Sequence, residues 1–155
     1  MHDAILVLLF TLLPTLELRA SIPFLLLATD LPAIPFLLAI VIANILLGFV
    51  LYELVDLLIG LARRWPWFDR WFSKVVLRAQ RRIQRSIDRY GEFGVAAFIA
   101  IPLPGSGVYT GALGAYLLGV KRRDFYLASI IGVLVAGSLV TLITLVGGGL
   151  FGIGA

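Results

Sequence analysis

Residues 14–23, Pro-Thr-Leu-Glu-Leu-Arg-Ala-Ser-Ile-Pro, interrupt an apolar stretch with two prolines and the charges of Glu17 and Arg19. A second apolar stretch is interrupted by residues 101–107, Ile-Pro-Leu-Pro-Gly-Ser-Gly. In hydrocarbon, broken backbone and charged side chains survive only where protein or a water-filled cavity surrounds them. We therefore expect both breaks to face the protein interior and to hold the functional groups.

The composition around the two breaks is that of an integral membrane protein. Of 155 residues, 61% are hydrophobic and 14% are charged, and the mean hydropathy is +1.03. One small soluble domain could not bury so much apolar surface. The apolar stretches cover residues 4–28, 33–60, 93–118 and 125–147, and each is long enough for a ~30 Å hydrocarbon core, which takes ~20 residues. We expect a single multi-pass domain, residues 1–155, in the plasma membrane.

The basic residues predict how the chain is oriented. Nine of the thirteen Lys and Arg residues lie between Arg63 and Arg89, and residues 121–123, Lys-Arg-Arg, follow the third apolar stretch. The positive-inside rule places both basic segments in the cytoplasm. A stretch 93–118 with two cytoplasmic ends must enter the membrane and return, and the prolines and glycines of 101–107 supply its turn.

The two halves of the chain share one organisation. A shift of 88 positions places Pro14 on Pro102 and residues 36–60 on 124–148. Two halves of this form that face opposite ways are typical of an inverted repeat whose site lies at the midplane. The predicted fold is an all-α integral membrane protein, with a re-entrant helical hairpin at 4–28, a transmembrane helix at 33–60, a second hairpin at 93–118 and a second transmembrane helix at 125–147.

A different topology uses four plain spans with both termini in the cytoplasm, as in a small four-helix multidrug transporter. Residues 121–123 then lie outside, and the two broken helices have no explanation. Both topologies stay open at this point.

Residues 63–90 connect the two repeats. Between Trp65 and Tyr90 apolar side chains recur at helical spacing, and most basic residues lie elsewhere on the helix. The pattern predicts a cytoplasmic amphipathic helix at the membrane surface. This helix anchors and links the repeats, and its basic residues (63–89) can also recruit anionic lipid headgroups.

Glu17 and Arg19 are two residues apart, and on a regular helix such a pair does not face the same way. In an unwound turn both can point to the centre of the protein. An acid at membrane depth either pairs, with Arg19 the nearest candidate, or takes up a proton. The pair is therefore either a fixed link between the hairpins or a working pair in which Arg19 holds an anion and Glu17 exchanges protons.

The second break offers backbone groups in place of charges. A half-helix that begins near Ser106 directs its N-terminal dipole toward an anion, although a tight turn without a ligand fits the same residues. On 33–60, Asp56 is expected to pair, Glu53 to pair or conduct protons, and Asn44 to make an interhelical hydrogen bond. The candidate substrate and proton site comprises Glu17, Arg19, Pro102, Pro104, Gly105, Ser106, Gly107, Tyr109 and Thr110, with Pro14, Pro23, Asn44 and Glu53 as secondary candidates.

Several kinds of chemistry lack the residues they need. The chain has no cysteine, and its one histidine, His2, has no partner at a ligand spacing. No nucleophile with an adjacent base and no phosphate-loop motif occurs. We expect no metal, no cofactor, no nucleic-acid partner and no enzymatic activity.

Residues 16–23, Leu-Glu-Leu-Arg-Ala-Ser-Ile-Pro, and 101–113, Ile-Pro-Leu-Pro-Gly-Ser-Gly-Val-Tyr-Thr-Gly-Ala-Leu, closely resemble the two hallmark motifs of the small multidrug export protein family. That family looks like a member of the wider DedA superfamily of membrane proteins. The resemblance covers essentially the whole chain. It implies two inverted re-entrant hairpins with adjoining spans, and movement of phosphorylated polyprenyl carriers or phospholipids, often linked to proton-motive force.

The expected function is a transporter or flippase for an anionic lipid or another amphipathic anion, coupled to protons. The alternatives are proton-coupled export of cationic drugs, with Glu17 as counter-ion, and a membrane scaffold that transports nothing. A small domain with glycine-rich faces is expected to form a homodimer or larger homo-oligomer.

Overall fold

A computed structural model of the chain describes residues 2–14, 16–74, 76, 94–97, 99–100 and 107–151. Within these ranges every regular element is helical, as the sequence predicts. Shorter helical segments cover residues 66–74, 94–97 and 99–100. The longer helices are α1 (His2–Leu12), α2 (Glu17–Ala28), α3 (Ala33–Ala62), α4 (Val108–Leu118) and α5 (Arg122–Phe151).

Two helices, α3 and residues 122–148 of α5, are long and apolar enough to cross a membrane. Both α3 and α5 contain 30 residues, which corresponds to about 45 Å at ~1.5 Å per residue. Each extends beyond the predicted bounds of 33–60 and 125–147. Much of their exposed surface is leucine, isoleucine and valine, which is the surface that lipid tails solvate.

Helices α3 and α5 pack against each other in opposite directions. From one end of the pair to the other, the contacts are Glu53 with Arg122, Gly48 with Ser129 and Val41 with Gly137. Because the α5 number rises as the α3 number falls, the helices are antiparallel. The topology of four plain spans would make them parallel, so that alternative is wrong. The end of α3 and the start of α5 lie on the same side, which puts Arg63 and residues 121–123 on that side together.

Each long helix follows a short one. Residues 29–32 join α2 to α3, and residues 119–121 join α4 to α5. Gly119, with φ 75°, ends α4 in the left-handed conformation that glycine adopts without strain. The packing of the short helices is exchanged between the two halves of the chain, since each packs against the long helix of the other half. Helix α2 packs against α5, and α4 packs against α3.

The first break is shorter than the sequence predicts. It covers residues 13–16, after which α2 begins, and α1 and α2 pack together on either side of it. Pro23 was expected to contribute to the break, but it lies inside α2. A proline there removes the hydrogen bond to the Arg19 carbonyl. The helix continues because Ile22 and Leu25, on either side of the proline, are fully buried in the core.

The described part of the connector begins with a helix. Residues 66–74 are helical, and Trp65, Trp67 and Trp71 are exposed. Exposed tryptophans next to a membrane span are typical of the water–lipid interface. Most of the remaining connector, through Tyr90, lies outside the described residues.

Candidate functional site

Three helix ends meet halfway along α3. A Cβ added to Gly48, near the middle of α3, would lie 3.5 Å from Val108, the first residue of α4. Asn44, one turn earlier, donates a 3.5 Å hydrogen bond to the Thr11 carbonyl near the end of α1. The start of α2 joins them through Glu17, whose carboxylate contacts the start of α4. We call this meeting point the central junction.

Glu17 is the acid of the central junction. Its side chain is 3% exposed, and its carboxylate accepts a 2.9 Å bond from Arg19 Nη1. The backbone N–H groups of Val108 and Tyr109 also donate to it. Its φ of 47° is left-handed, which is uncommon for a residue other than glycine and marks a constrained position. This unwound first residue of α2 lets Glu17 and Arg19 meet at a spacing of two.

Arg19 connects the two halves of the chain. Its side chain is 14% exposed, and its second terminal nitrogen, Nη2, donates to the Ile99 carbonyl at 3.4 Å. One guanidinium group therefore holds a carboxylate from the first half and a carbonyl from the second. Arginine suits this position, because it stays charged and presents several donors in one plane.

Gly107 closes the central junction from the side of α4. Its φ is 138°, which favours glycine, and a Cβ there would overlap the Glu17 carboxylate and lie 2.7 Å from Arg19 Nη1. The glycine lets the backbone approach the ion pair closely. The carboxylate and the start of α4 therefore fill the space between them.

Side chains from other helices satisfy the carbonyls at the end of α1. Tyr109 donates its hydroxyl to the Leu12 carbonyl at 2.6 Å, and Asn44 donates to Thr11. The last carbonyls of a helix have no partner within that helix, so neighbouring groups or water must bond them. The break in the first half is held by residues of α3 and α4.

A second group of charges lies at the end of α3. Arg122 contacts Glu53 at 3.3 Å and also hydrogen-bonds Asp56. The Tyr126 hydroxyl donates to Glu53, and the Tyr116 hydroxyl donates to Asp56. We call these five residues the end cluster. Their contacts connect α3, α4 and α5 at the side where Arg63 and residues 121–123 lie.

The predicted site residues separate into three groups. Glu17, Arg19, Gly107 and Tyr109 meet in the central junction, Asn44 lies beside it, and the exposed Thr110 follows Tyr109. Glu53 belongs to the end cluster, while Pro14 is exposed in the first break and Pro23 is inside α2. The remaining four candidates, Pro102, Pro104, Gly105 and Ser106, lie outside the described residues.

Sequence reasoning missed several contributors. The Ile99 and Leu12 carbonyls and the Val108 amide are backbone groups, and a sequence carries no signal for them. Gly48 had a signal: it follows Asn44 by four residues, and a small residue in register with a polar one marks a close helix contact. Ser129, fully buried opposite Gly48, was missed for lack of any pattern around it.

A model of the family described as "Putative small multi-drug export protein" matches residues 17–139 of the 155. The chain belongs to this family. Searches for similar curated proteins and for similar solved structures gave no match. The family match begins at Glu17 and includes α2, α3, α4 and the first part of α5. Together with the two long apolar helices, it identifies a membrane protein of an export family.

Proposed function

We propose that this protein is a transporter or flippase for an anionic lipid or another amphipathic anion, such as a polyprenyl phosphate, with proton coupling through Glu17. The observation that carries the proposal is the buried Glu17–Arg19 pair at half height between apolar helices. Ionisable groups at membrane depth are energetically costly, and they often mark substrate or proton pathways.

The donors around Glu17 favour an anion as the substrate. Arg19 and the amides of Val108 and Tyr109 all point at one carboxylate. A guanidinium fork and the N-terminal amides of a helix are also what recognise a phosphate group. The long apolar helices alongside would suit the hydrocarbon part of an amphipathic molecule.

An inverted repeat would place this site between two exchangeable halves. Support comes from the antiparallel α3 and α5 and from the exchanged positions of α2 and α4. In this proposal residues 4–28 and 93–118 are re-entrant hairpins, as in the DedA superfamily, and rocking of one repeat against the other gives alternating access. The basic connector faces the cytoplasm and attracts anionic headgroups, and the protein works as a homodimer or larger homo-oligomer in the plasma membrane.

Export of cationic drugs is the second candidate, because the family description names drug export. In that mechanism Glu17 is the counter-ion of the drug. Arg19, 2.9 Å from the carboxylate, already compensates that charge, so a cation would have to displace an arginine. An anion instead keeps Arg19 at the site as its own partner.

The test is translocation of a labelled polyprenyl phosphate in proteoliposomes, with and without a pH gradient. The native chain is compared with Glu17→Gln, Arg19→Ala and a matched control, Asp30→Asn, which neutralises an exposed carboxylate in the turn before α3. We expect gradient-driven flux in the native chain and the control, and none in the two site variants once they are shown to be folded.

Other outcomes distinguish the alternatives. Flux of a cationic dye that requires Glu17, with none of the polyprenyl phosphate, would replace the anion proposal with drug export. If no substrate moves, and if the two site variants change only stability, the protein is a scaffold.

A further inference from the structure

The anion-binding groups of the central junction are already occupied by an anion that belongs to the protein. The Glu17 carboxylate takes the Nη1 donor of Arg19 and the first amides of α4. These are the groups to which the proposed function assigns the substrate headgroup. Glu17 and the substrate therefore require the same donors.

We infer that Glu17 is a built-in competitor for the substrate anion, so that the site takes up one proton with each anion and carries both in the same direction. This inference rests on the proposed function and adds its coupling. With its proton bound, Glu17 is neutral and releases Arg19 and the α4 amides to the headgroup. When the anion leaves, the proton leaves too and the carboxylate returns to the donors.

Neither the space nor the charge in the central junction allows the Glu17 carboxylate and a substrate anion to bind these donors together. A Cβ on Gly107 would overlap the Glu17 carboxylate, so even one additional carbon atom does not fit beside it. Two anionic groups on one guanidinium at low dielectric would also repel each other strongly. The substrate can bind only if Glu17 loses its charge and moves aside.

Few other described groups near the central junction could take up the proton in place of Glu17. Tyr109 of α4 faces Glu17, but its hydroxyl is bonded to the Leu12 carbonyl. On α3 and α5, the titratable residues nearest the junction are Tyr52 and Tyr126, whose hydroxyls are bonded to the Val120 carbonyl and to Glu53. On α1 they are His2 and Asp3, at the opposite end from the junction.

The inference predicts a pH dependence with a fixed sign. Binding and protonation are linked reciprocally, so a proton that favours the anion is itself taken up when the anion binds. If each anion needs one proton, its affinity falls by about tenfold for each unit of rising pH where free Glu17 is ionised. A merely structural ion pair predicts no such slope.

The experiment is calorimetric titration of the detergent-solubilised chain with farnesyl phosphate between pH 7 and 8.5. Over this range a phosphate monoester, with a second pKa of ~6, keeps nearly constant charge. Titration in two buffers of different protonation enthalpy gives the number of protons taken up per ligand. The variants are Glu17→Gln, which keeps the shape and the acceptor oxygen, Arg19→Gln, and the control Asp30→Asn.

We expect the native chain and the control to take up about one proton per ligand and to bind about tenfold more weakly per pH unit. Glu17→Gln should bind at least as tightly as the native chain at pH 7, with no proton uptake and no slope. Arg19→Gln should not bind. If Glu17→Gln does not fold, proton uptake by the native chain still tests the inference.

The titration distinguishes failure of this inference from failure of the proposed function. If the native chain binds through Arg19 without proton uptake, or if Glu17→Gln binds more weakly, the anion site stands and the competitor role is overturned. If neither the native chain nor Glu17→Gln binds farnesyl phosphate at any pH, both the anion proposal and this inference fall.

Discussion

The central junction and the end cluster both join arginine to carboxylates, but at different depths. At the junction the Arg19 and Glu17 side chains are 14% and 3% exposed. In the end cluster Arg122, Glu53 and Asp56 are 56%, 44% and 38% exposed. Exposed pairs contribute ~0–1 kcal/mol, whereas breaking a buried pair costs ~3–5 kcal/mol. The same residue types therefore connect helix ends at a partly exposed surface in one place and form a buried ion pair in the other.

The largest expected effect comes from removing one partner of the buried pair. Arg19→Ala leaves the Glu17 carboxylate buried without its cation, and should lower the free energy of unfolding by ~3–5 kcal/mol. Thermal unfolding in detergent, followed by circular dichroism, measures the loss. The double variant Glu17→Gln with Arg19→Gln should recover most of it, because no charge stays buried. Equal losses in Arg19→Ala and Arg122→Ala would remove the contrast between the two regions.

Gly107→Ala tests how tightly the junction is packed. The new Cβ meets the ion pair, and a φ of 138° strains any other residue, so we expect a loss of ~2–4 kcal/mol. Gly114→Ala is the matched control, because a Cβ there meets no described atom within 4 Å. It should stabilise α4 by ~0.5–1 kcal/mol. A neutral Gly107→Ala would mean that the junction is loose.

The crossing of α3 and α5 beside the junction gives a paired test. In Gly48→Ala the new Cβ lies 2.5 Å from Ser129 Oγ but 3.6 Å from Ser129 Cβ. The single variant should lose ~1–3 kcal/mol by overpacking. Adding Ser129→Ala removes the clashing oxygen and should restore stability. If the second substitution gives no recovery, the two helices do not cross at these residues.

The smallest effect is expected in the end cluster. Arg122→Gln should change stability only slightly, because the charges are partly solvated. The difference from the native chain should shrink further at high salt, where exposed pairs are screened. Unfolding measured at low and at high ionic strength tests this. A loss as large as that of Arg19→Ala, and unchanged by salt, would show that stability depends on the end cluster as strongly as on the junction.

Apolar length and charge made most of the helical framework predictable. The start of α3 at Ala33 follows from Pro32, and the two basic segments indicated the relative direction of α3 and α5. The extent of the first break was not predictable, because Pro23 is kept in α2 by the burial of Ile22 and Leu25. Propensity has less weight than tertiary packing at such a position.

For the site, the sequence predicted the pair but not its surroundings. Glu17 and Arg19 are conspicuous because charges are rare in apolar stretches. Their partners are backbone groups of Ile99, Val108 and Tyr109, which lie far along the chain and which any residue type could supply. The sequence left open whether the helix that begins near Ser106 faces an anion or only follows a tight turn, and in the structure the first amides of α4 bond the Glu17 carboxylate.

The exchanged packing of α2 and α4 also has a consequence for how the chain is made. The α4 amides that bind Glu17 are synthesised about 90 residues after it, an interval of roughly 5–20 s at ~5–20 residues per second. During that time α2 has neither α4 nor α5 beside it. Until α4 is made, the Glu17 carboxylate has Arg19 of its own helix as a partner but lacks the α4 amides, so the first half of the chain must tolerate a pair whose hydrogen bonds are incomplete.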